Sequence, residues 1–321
     1  MNDTTVRNIG IVLFALIAIL IGIEFSNIDR DEATGRPLLA GLMNNINDVN
    51  RLVISSGGND EQVIANDGSG WRVEGRDYPA DVAKVREVLL TFAHASVLEE
   101  KTSNPDRYAL LGVQDPGEGS DSIGVTIAGD DTTYSLIVGN VNQTSYRYVR
   151  LDSEATSLLI DRNPELPDDA SGWLDSQLID VPTADVREVV ITHADGEVLR
   201  VARPDAETMD FDAADIPEGR ELSYPTVANS IGGALNNLEL EDVRAASDED
   251  PVATVEFSTF DERRIVVSVV ADEDVRWVSL EGDGVDEVLA GREFRVAEFR
   301  ANQLTRRWDD ILKSLPETAE E

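Results

Sequence analysis

The chain has 321 residues, which is enough for about two domains that each bury a core. It carries 63 acidic and 27 basic residues, for a net charge of −36, and so acidic a surface repels nucleic-acid phosphates and anionic lipid headgroups. We therefore expect no nucleic-acid partner. Cysteine is absent, which excludes disulfides and thiolate metal sites.

The acidic residues are spread along the whole chain rather than gathered in one run. This distribution favours a solubility or salt-tolerance adaptation of the entire surface. The alternative is an acidic docking face for a basic partner or a cation.

Residues 9–23 form an apolar segment without a charged side chain, which reaches Phe25 with Glu24 at its edge. As a helix the seventeen residues would measure roughly 25 Å at about 1.5 Å per residue, the short end for a membrane span. A cleaved signal peptide has a similar apolar length, but no small-residue cleavage site follows. We therefore predict an uncleaved anchor that contacts lipid through Ile9, Ile11, Leu13, Phe14, Leu16, Ile19, Leu20 and Ile23.

Small residues in the same segment would allow close approach of a second membrane helix. They are Gly10, Ala15, Ala18 and Gly22. The few Lys and Arg residues beside the segment do not fix its orientation. We expect a single-pass protein of the bacterial cytoplasmic (inner) membrane with its body in the periplasm, because long soluble domains translocate largely regardless of charge.

After an anchor at residues 1–30, we predict a first α+β unit at residues 31–180. A short helical pattern at 36–46 precedes three strands at 51–55, 62–65 and 71–73. The stretch Tyr78-Pro79-Ala80-Asp81 then begins a helix with an apolar face of Val82, Val85, Val88, Leu89 and Phe92. Strands follow at 123–128, 134–138, 146–151 and 157–160, and a short amphipathic helix at 173–178 ends the unit.

Residues 181–321 repeat this order, so we predict a second α+β unit with a C-terminal amphipathic helix. The stretch Arg147-Tyr148-Val149-Arg150-Leu151 has a counterpart 129 positions on, Arg276-Trp277-Val278-Ser279-Leu280. Tyr224-Pro225 corresponds to Tyr78-Pro79 and precedes a helical pattern of Val227, Ile231, Leu235 and Leu238. Strands are predicted at 186–191, 198–203, 254–258, 265–270 and 277–280, and a helix at 308–312.

The predicted fold is thus α+β: an N-terminal single transmembrane helix and two tandem repeats, each a mostly antiparallel sheet with a helix packed on one face. The alternative is two unrelated α+β domains of similar size.

No catalytic or cofactor motif emerges from the sequence. His94 and His193 are not grouped by any spacing, so we expect packing or surface roles and no metal site. Nucleophile-elbow, phosphate-loop and zinc-protease motifs are absent. A carboxylate pair for glycoside hydrolysis is possible in principle, yet 63 acidic residues offer too many pairs to nominate one. We therefore expect a protein that is not an enzyme and has no cofactor.

The order of these motifs resembles the membrane-anchored bacterial family called domain of unknown function 4340. The resemblance rests on Gly70-Trp71-Arg72-Val73 with Tyr78-Pro79-Ala80-Asp81, on Tyr108-Ala109-Leu110-Leu111-Gly112, on the stretch at 147–151, and on Trp173-Leu174-Asp175. Members are often encoded beside the ATPase and permease of gliding-type ABC transport systems. The resemblance implies a single-pass accessory subunit with an extracytoplasmic body, and it supplies no catalytic residues.

Three functions follow as hypotheses. The first is a non-enzymatic, membrane-anchored accessory or scaffold subunit, held in the lipid bilayer by its N-terminal helix and bound to an integral membrane partner such as an ABC permease with its ATPase. The second is an extracytoplasmic module that binds a ligand or polymer between the repeats. The third and weakest is a carboxylate-based hydrolase.

Overall fold

The computed structural model describes residues 35–57, 61–117 and 119–313. It divides the chain into two compact units, one that ends at Trp173 and one that begins at Leu174. Within the described residues each unit contains one nine-stranded sheet and a few short helices. This confirms the α+β class with mostly antiparallel sheets. The predicted anchor lies outside the described residues.

The first sheet has the order β4-β3-β2-β1-β6-β7-β8-β9-β5, and all its neighbours are antiparallel. Its strands are β1 (Val49–Ser56), β2 (Gln62–Asn66), β3 (Trp71–Val73), β4 (Tyr78–Pro79), β5 (Val97–Glu100), β6 (Ile123–Gly129), β7 (Thr133–Val141), β8 (Arg147–Leu151) and β9 (Ser157–Ile160). The seven strands predicted for this half are confirmed. Strands β4 and β5 were not predicted.

Among the residues that the structure describes, the helices are short, with one exception. They are α1 (Leu42–Asn45), α2 (Val82–His94), α3 (Tyr108–Leu111), α4 (Asn229–Gly232), α5 (Glu298–Leu304) and α6 (Trp308–Ile311), with 3-10 turns at Ile46–Asp48, Pro105–Arg107, Ala170–Trp173, Thr183–Asp185 and Glu287–Leu289. Helix α2 begins after Asp81, whose carboxylate accepts a hydrogen bond from the backbone N–H of Lys84 at 3.0 Å. Asp81 is therefore the N-cap residue, which satisfies one free N–H of the first turn.

The first sheet buries one face along β1, β2 and β6, and α2 lies over it. Leu52 pairs with both Ile64 and Ile127, and all three side chains are fully buried on this face. The alternate residues Val53 and Val63 point to the opposite face and are only half-buried. Helix α2 contributes to the core with a stripe at helical spacing, Val85, Val88, Leu89 and Phe92. The predicted helix and its face are confirmed, except that Val82 is 55% exposed.

The helix predicted at 36–46 is wrong in its first half. Pro37 forms a bridge with Ser96, so this segment runs as an extended strand beside the residues that follow α2. Gly41 has φ +91°, a left-handed conformation that blocks helix propagation before Leu42. Helical structure therefore begins only at Leu42.

The second sheet has the order β10-β14-β18-β17-β16-β15-β11-β12-β13, again antiparallel throughout. Its strands are β10 (Gln177–Ile179), β11 (Val186–His193), β12 (Val198–Ala202), β13 (Asp212–Ala214), β14 (Leu238–Ala245), β15 (Ala253–Thr259), β16 (Arg264–Asp272), β17 (Val275–Gly282) and β18 (Arg292–Val296). The five predicted strands are confirmed, and β10, β13, β14 and β18 were not predicted.

Eight strands follow the same spatial order in both units. The order β3-β2-β1-β6-β7-β8-β9-β5 in the first corresponds to β13-β12-β11-β15-β16-β17-β18-β14 in the second. Irregularities in register recur as well. One lies between Val49 and Arg51 in the β1·β6 pair, and its counterpart lies between Val186 and Glu188 in the β11·β15 pair. Position 49 of one unit therefore corresponds to position 186 of the other.

The second unit lacks a counterpart of equal length to α2, so the helix predicted at 227–238 is wrong. Helix α4 spans only Asn229–Gly232, and Leu238 is already the first residue of β14. Two adjacent glycines disfavour a longer helix. Gly232 also packs against the ring of Phe211, where a Cβ atom would come within 2.3 Å of a ring carbon. The backbone of α4 thus fits close against the core.

The helix predicted at 173–178 is also wrong. The segment contains a 3-10 turn that ends at Trp173 and then strand β10, which pairs with β14 of the second sheet. Trp173 is fully buried, and its Nε1–H donates to Oε1 of the buried Gln62 at 2.7 Å. Hydrogen bonding of the indole to the first sheet favours a turn here over a helix. The helix predicted at 308–312 is confirmed as α6.

Candidate functional site

The repeated stretch places an aromatic residue beside a basic residue in both units. Nζ of Lys101 lies 6.0 Å from the ring centroid of Tyr148, and Cζ of Arg244 lies 4.1 Å from that of Trp277. The two pairs occupy matching positions, because the backbone N–H of Lys101 bonds to Ser157 just as Arg244 pairs with Glu293 across β14·β18. A cation over an aromatic face contributes about 0.5–2 kcal/mol. The contact between the aromatic residue of the repeated stretch and a basic residue of the neighbouring chain segment is therefore a structural feature that both units share.

In the second unit the basic residue also bridges two carboxylates. Nε of Arg244 donates to Oε2 of Glu293 at 2.9 Å, and its Nη1 donates to Oδ2 of Asp272. Glu293 is only 3% exposed and accepts two further hydrogen bonds from Ser247, from the N–H at 3.0 Å and from Oγ at 2.8 Å. We call Arg244, Asp272, Trp277, Ser247 and Glu293 the Arg244 cluster.

The pKa of Glu293 reflects these contacts. Burial alone would raise the pKa of this carboxyl, but the N–H and O–H of Ser247 and the guanidinium of Arg244 outweigh it. The net result is a pKa below the ordinary value, so the carboxylate is ionised at neutral pH. Its oxygens are already engaged by these donors, which makes it a structural ion pair rather than a general base.

Two motifs that carry the family resemblance meet on the second face of the first sheet. The ring of Tyr108 lies 4.8 Å from Cζ of Arg150, which is 7% exposed. Nε of Arg150 donates to the carbonyl of Val113 at 3.0 Å, and the guanidinium also pairs with Asp115. The hydroxyl of Tyr108 donates to the carbonyl of Ala155. The motif at 108–112 therefore fastens a loop onto the sheet through the second arginine of the repeated stretch.

Replacing Tyr108 with phenylalanine should lower the free energy of unfolding by about 1 kcal/mol, because the carbonyl of Ala155 loses its donor while the ring contact with Arg150 remains. Urea denaturation followed by circular dichroism would measure the loss. Tyr146→Phe is the matched control, since Tyr146 is 38% exposed and should change stability by less than about 0.5 kcal/mol. Equal effects of the two substitutions would contradict the assigned hydrogen bond.

The outer side of α2 carries a shallow depression of about 450 Å³, which we call the α2 groove. It is lined by Ala83, Arg86, Glu87, Leu90, Thr91, His94 and Arg162. Its floor is mainly apolar, and it is bordered by Arg86, His94 and Arg162 and by one carboxylate, Glu87. Glu87 and Thr91 form a wall that the groove shares with a neighbouring depression.

The cations of the α2 groove are poorly matched by carboxylates. The side chains of Arg86 and His94 form no hydrogen bond or ion pair with another described residue, and both are exposed. Arg162 approaches only Asp161, at 4.0 Å, and that carboxylate already accepts a hydrogen bond from the N–H of Ser96 at 2.8 Å.

The neighbouring depression of about 560 Å³ is polar and has a different character. Lys84 lines it, but its Nζ donates to the carbonyl of Gly172 at 2.6 Å and so fastens α2 to the turn before Trp173. The remaining charged residues there are Glu87, Glu165, Asp168 and Asp169. Across the described ranges no three His, Cys, Asp or Glu side chains are grouped for a metal ion.

The two histidines lie in different units. His94 is exposed near the end of α2, whereas His193 is 5% exposed and its Nε2 lies 3.1 Å from the carbonyl oxygen of Arg306. The predicted anchor residues, Ile9 to Ile23, and the small residues among them all lie outside the described residues. In the part of the chain that the structure describes, no helix is both long and apolar enough to cross a membrane.

Residues 71–256 match the protein family described as Domain of unknown function (DUF4340), and this match covers more than half of the chain. The chain belongs to this family. The DUF4340 match includes α2, the motif at 108–112 and the repeated stretch of the first unit, and it ends within β15 of the second. No curated protein and no solved structure matches the chain.

Sequence reasoning missed every residue of the α2 groove as a possible site in this DUF4340 protein. A signal was present for two of them, because Arg86 and His94 are eight positions apart on the polar side of a predicted helix, about two turns. Arg162 lies 68 positions beyond His94, and only the pairing of β9 with β5 brings it to the end of α2.

Proposed function

We propose that this DUF4340 protein is a non-enzymatic accessory or scaffold subunit of a membrane complex. The apolar segment at 9–23 would anchor it in the bacterial cytoplasmic membrane, and its two sheet units would project on the periplasmic side. The uninterrupted apolar segment ahead of two folded units is the observation that carries the proposal. An integral membrane protein, such as an ABC permease with its ATPase, is the proposed partner.

The polar groups of the two units support a scaffold role. Near the repeated stretch, Arg150 and Glu293 are buried and Arg244 is partly buried, and their hydrogen-bond partners belong to other parts of the same unit. Groups held in this way stabilise a fold. A scaffold needs such stable surfaces, whereas a hydrolase needs free carboxylates in a cleft.

Extraction of the full-length protein from its native membrane in mild detergent tests this proposal. We expect an integral membrane partner in stoichiometric yield, identified by mass spectrometry. Replacing Ala18 and Gly22 with leucine should reduce the partner about ten-fold, because the larger side chains prevent close helix approach. The control changes Ile11 and Ile19 to leucine, which keeps size and hydrophobicity.

The two failures have different meanings. Purification of the protein alone, at any level of expression, would overturn the accessory role. An equal yield of partner with the Ala18 and Gly22 changes would leave the complex but remove the small-residue face as its contact.

A further inference from the structure

The chain enters the first unit at the C-terminal end of α2. Residues 35–38 run antiparallel to residues 95–97, with hydrogen bonds from Gly35 N–H to the carbonyl of Val97 at 2.7 Å and from Leu38 N–H to that of Ala95 at 2.8 Å. Ala95 directly follows the last residue of α2. The segment that precedes Gly35 is therefore attached to the fold beside the end of the α2 groove that carries His94.

This attachment places the groove near the proposed anchor. Nine residues, 26–34, separate the apolar segment from Gly35, and a chain of this length spans at most about 30 Å. Helix α2 has 13 residues and is therefore about 20 Å long. If residues 9–25 lie in a bilayer, the groove is within reach of the membrane surface along its whole length.

The charge of the groove is suited to an anionic surface. Several exposed arginines elsewhere pair with a carboxylate, such as Arg51 with Glu74 at 2.7 Å and Arg264 with Glu256 at 2.6 Å. Arg86 has no such partner among the described residues. Arginine binds phosphate oxygens through a planar fork of donors, and the apolar floor at Leu90 would accept the lipid surface beside the phosphate.

We propose that the α2 groove binds the phosphate of an anionic phospholipid, so that the first unit rests on the bilayer through α2. This inference rests on the proposed membrane anchor. Interactions between exposed charges are largely screened beyond a Debye length of about 10 Å, so the bilayer interacts only with the nearest part of the protein surface. Because the protein has a net charge of −36, most of its surface is repelled by an anionic bilayer. This repulsion favours the one orientation in which α2 faces the lipid.

An acidic segment of a partner protein could bind the same arginines in place of a lipid phosphate. The attachment at Gly35 favours the lipid, because the anchor holds this end of α2 next to a bilayer whether or not a partner is present. Each arginine near an anionic membrane contributes about a five-fold preference, so loss of two should lower the contact equilibrium about twenty-fold.

The test uses the full chain reconstituted into vesicles. Because the chain has no cysteine, Ala83→Cys gives a single site for a fluorescent donor in the groove. The vesicles contain headgroup-labelled acceptor lipid in phosphatidylcholine, alone or with an equal part of phosphatidylglycerol. We expect energy transfer to rise in the anionic vesicles, to fall with added salt, and to drop to the phosphatidylcholine level when Arg86 and Arg162 are both changed to glutamine.

The matched control changes Arg107 and Arg187 to glutamine, which removes the same charge from two exposed arginines outside the groove. This control should keep the full response to phosphatidylglycerol. Two results would overturn the lipid contact and leave the anchor in place. One is equal energy transfer for both double variants in anionic vesicles. The other is no rise in energy transfer for the protein with Arg86 and Arg162 unchanged, in anionic vesicles with which it floats. Energy transfer that requires a co-reconstituted acidic protein would overturn the lipid contact too. A protein that does not float with the vesicles would overturn the anchor and this inference together.

Discussion

Replacing Arg203 with methionine should lower the free energy of unfolding of the second unit by about 4 kcal/mol, the upper range for a single substitution. Arg203 is 5% exposed and lies just after β12. Its guanidinium donates to backbone carbonyls alone, and the acceptors are Thr183, Ala184, Val186 and Thr208. Without the arginine these carbonyls lose their side-chain donors, at a cost of about 1–3 kcal/mol for each one that is buried and left unpaired.

Aromatic contacts add to the cost of this substitution. The guanidinium carbon of Arg203 lies 4.8 Å from the ring centroid of Phe211 and 5.2 Å from that of Phe260. The side chain therefore joins the turn before β11, the loop after β12 and the turn after β15. Arg203→Lys should recover roughly half of the loss, because an ammonium group offers three donors in place of five.

Hydrogen exchange of the β11 and β12 amides would measure the effect in the second unit alone. Arg200→Met is the matched control, since Arg200 lies on the same strand, is half-exposed and forms one ion pair with Glu188 at 3.4 Å. Both substitutions remove one positive charge, but the control should cost less than about 1 kcal/mol. A similar loss of protection in both proteins would show that Arg203 acts only through its charge.

The sequence predicts β15 and β16 within two residues of their observed ends. Apolar and polar residues alternate along β15, whereas β16 is marked by the apolar runs Ile265-Val266-Val267 and Val269-Val270. Strand β14 also alternates at its start, yet its pattern was assigned to a helix. The cause is that Leu238 is four positions from Ala234 and three from Leu235, spacings that also suit a helix. Hydrophobic spacing alone did not distinguish the two structures.

The edge strand β5 shows a second limit. Two of its four residues are glutamate, so no apolar run marks it, and it forms only because β9 offers a free edge. The same pairing brings Lys101 beside Tyr148 and, in the second unit, Arg244 beside Trp277. Neither contact could be predicted without the register of β5 and β14. Of the four residues in these two contacts, only Tyr148 and Trp277 lie within the repeated stretch.

The α2 groove was beyond prediction for a similar reason. The sequence indicates a helix at 82–94 and its buried face, but a surface depression depends on which loop passes beside the helix. Here the residues after β9 do so, and they bring Arg162 to His94. The anchor residues stay a prediction, since they lie outside the described part of the chain.

Replacing Glu293 with glutamine should lower the free energy of unfolding by about 2 kcal/mol at pH 7, the usual worth of hydrogen bonds to a charged group. Glutamine keeps the size of the side chain and one oxygen that can accept both hydrogen bonds of Ser247, but its amide nitrogen then faces Nε of Arg244, so two donors meet and the ionic bond is lost. Arg244 would keep Asp272 as its only carboxylate partner in the Arg244 cluster.

The dependence on pH separates this ion pair from a general loss of packing. Because the pKa of Glu293 is lowered in the folded state, its contribution is full above the ordinary glutamate pKa of about 4.3 and is lost as pH falls through the lower folded value. The difference between the unchanged protein and Glu293→Gln should therefore be constant near neutrality and shrink in acid, where the carboxyl is protonated and resembles the amide.

Urea denaturation at a series of pH values from 7 downwards would give this difference directly. Glu281→Gln is the matched control, because Glu281 is exposed on β17 of the same unit and its removal changes the net charge equally. The control should stay within about 0.5 kcal/mol at every pH. A loss for Glu293→Gln that is the same in acid as at neutrality would mean that shape, and not the ionised carboxylate, holds the Arg244 cluster together.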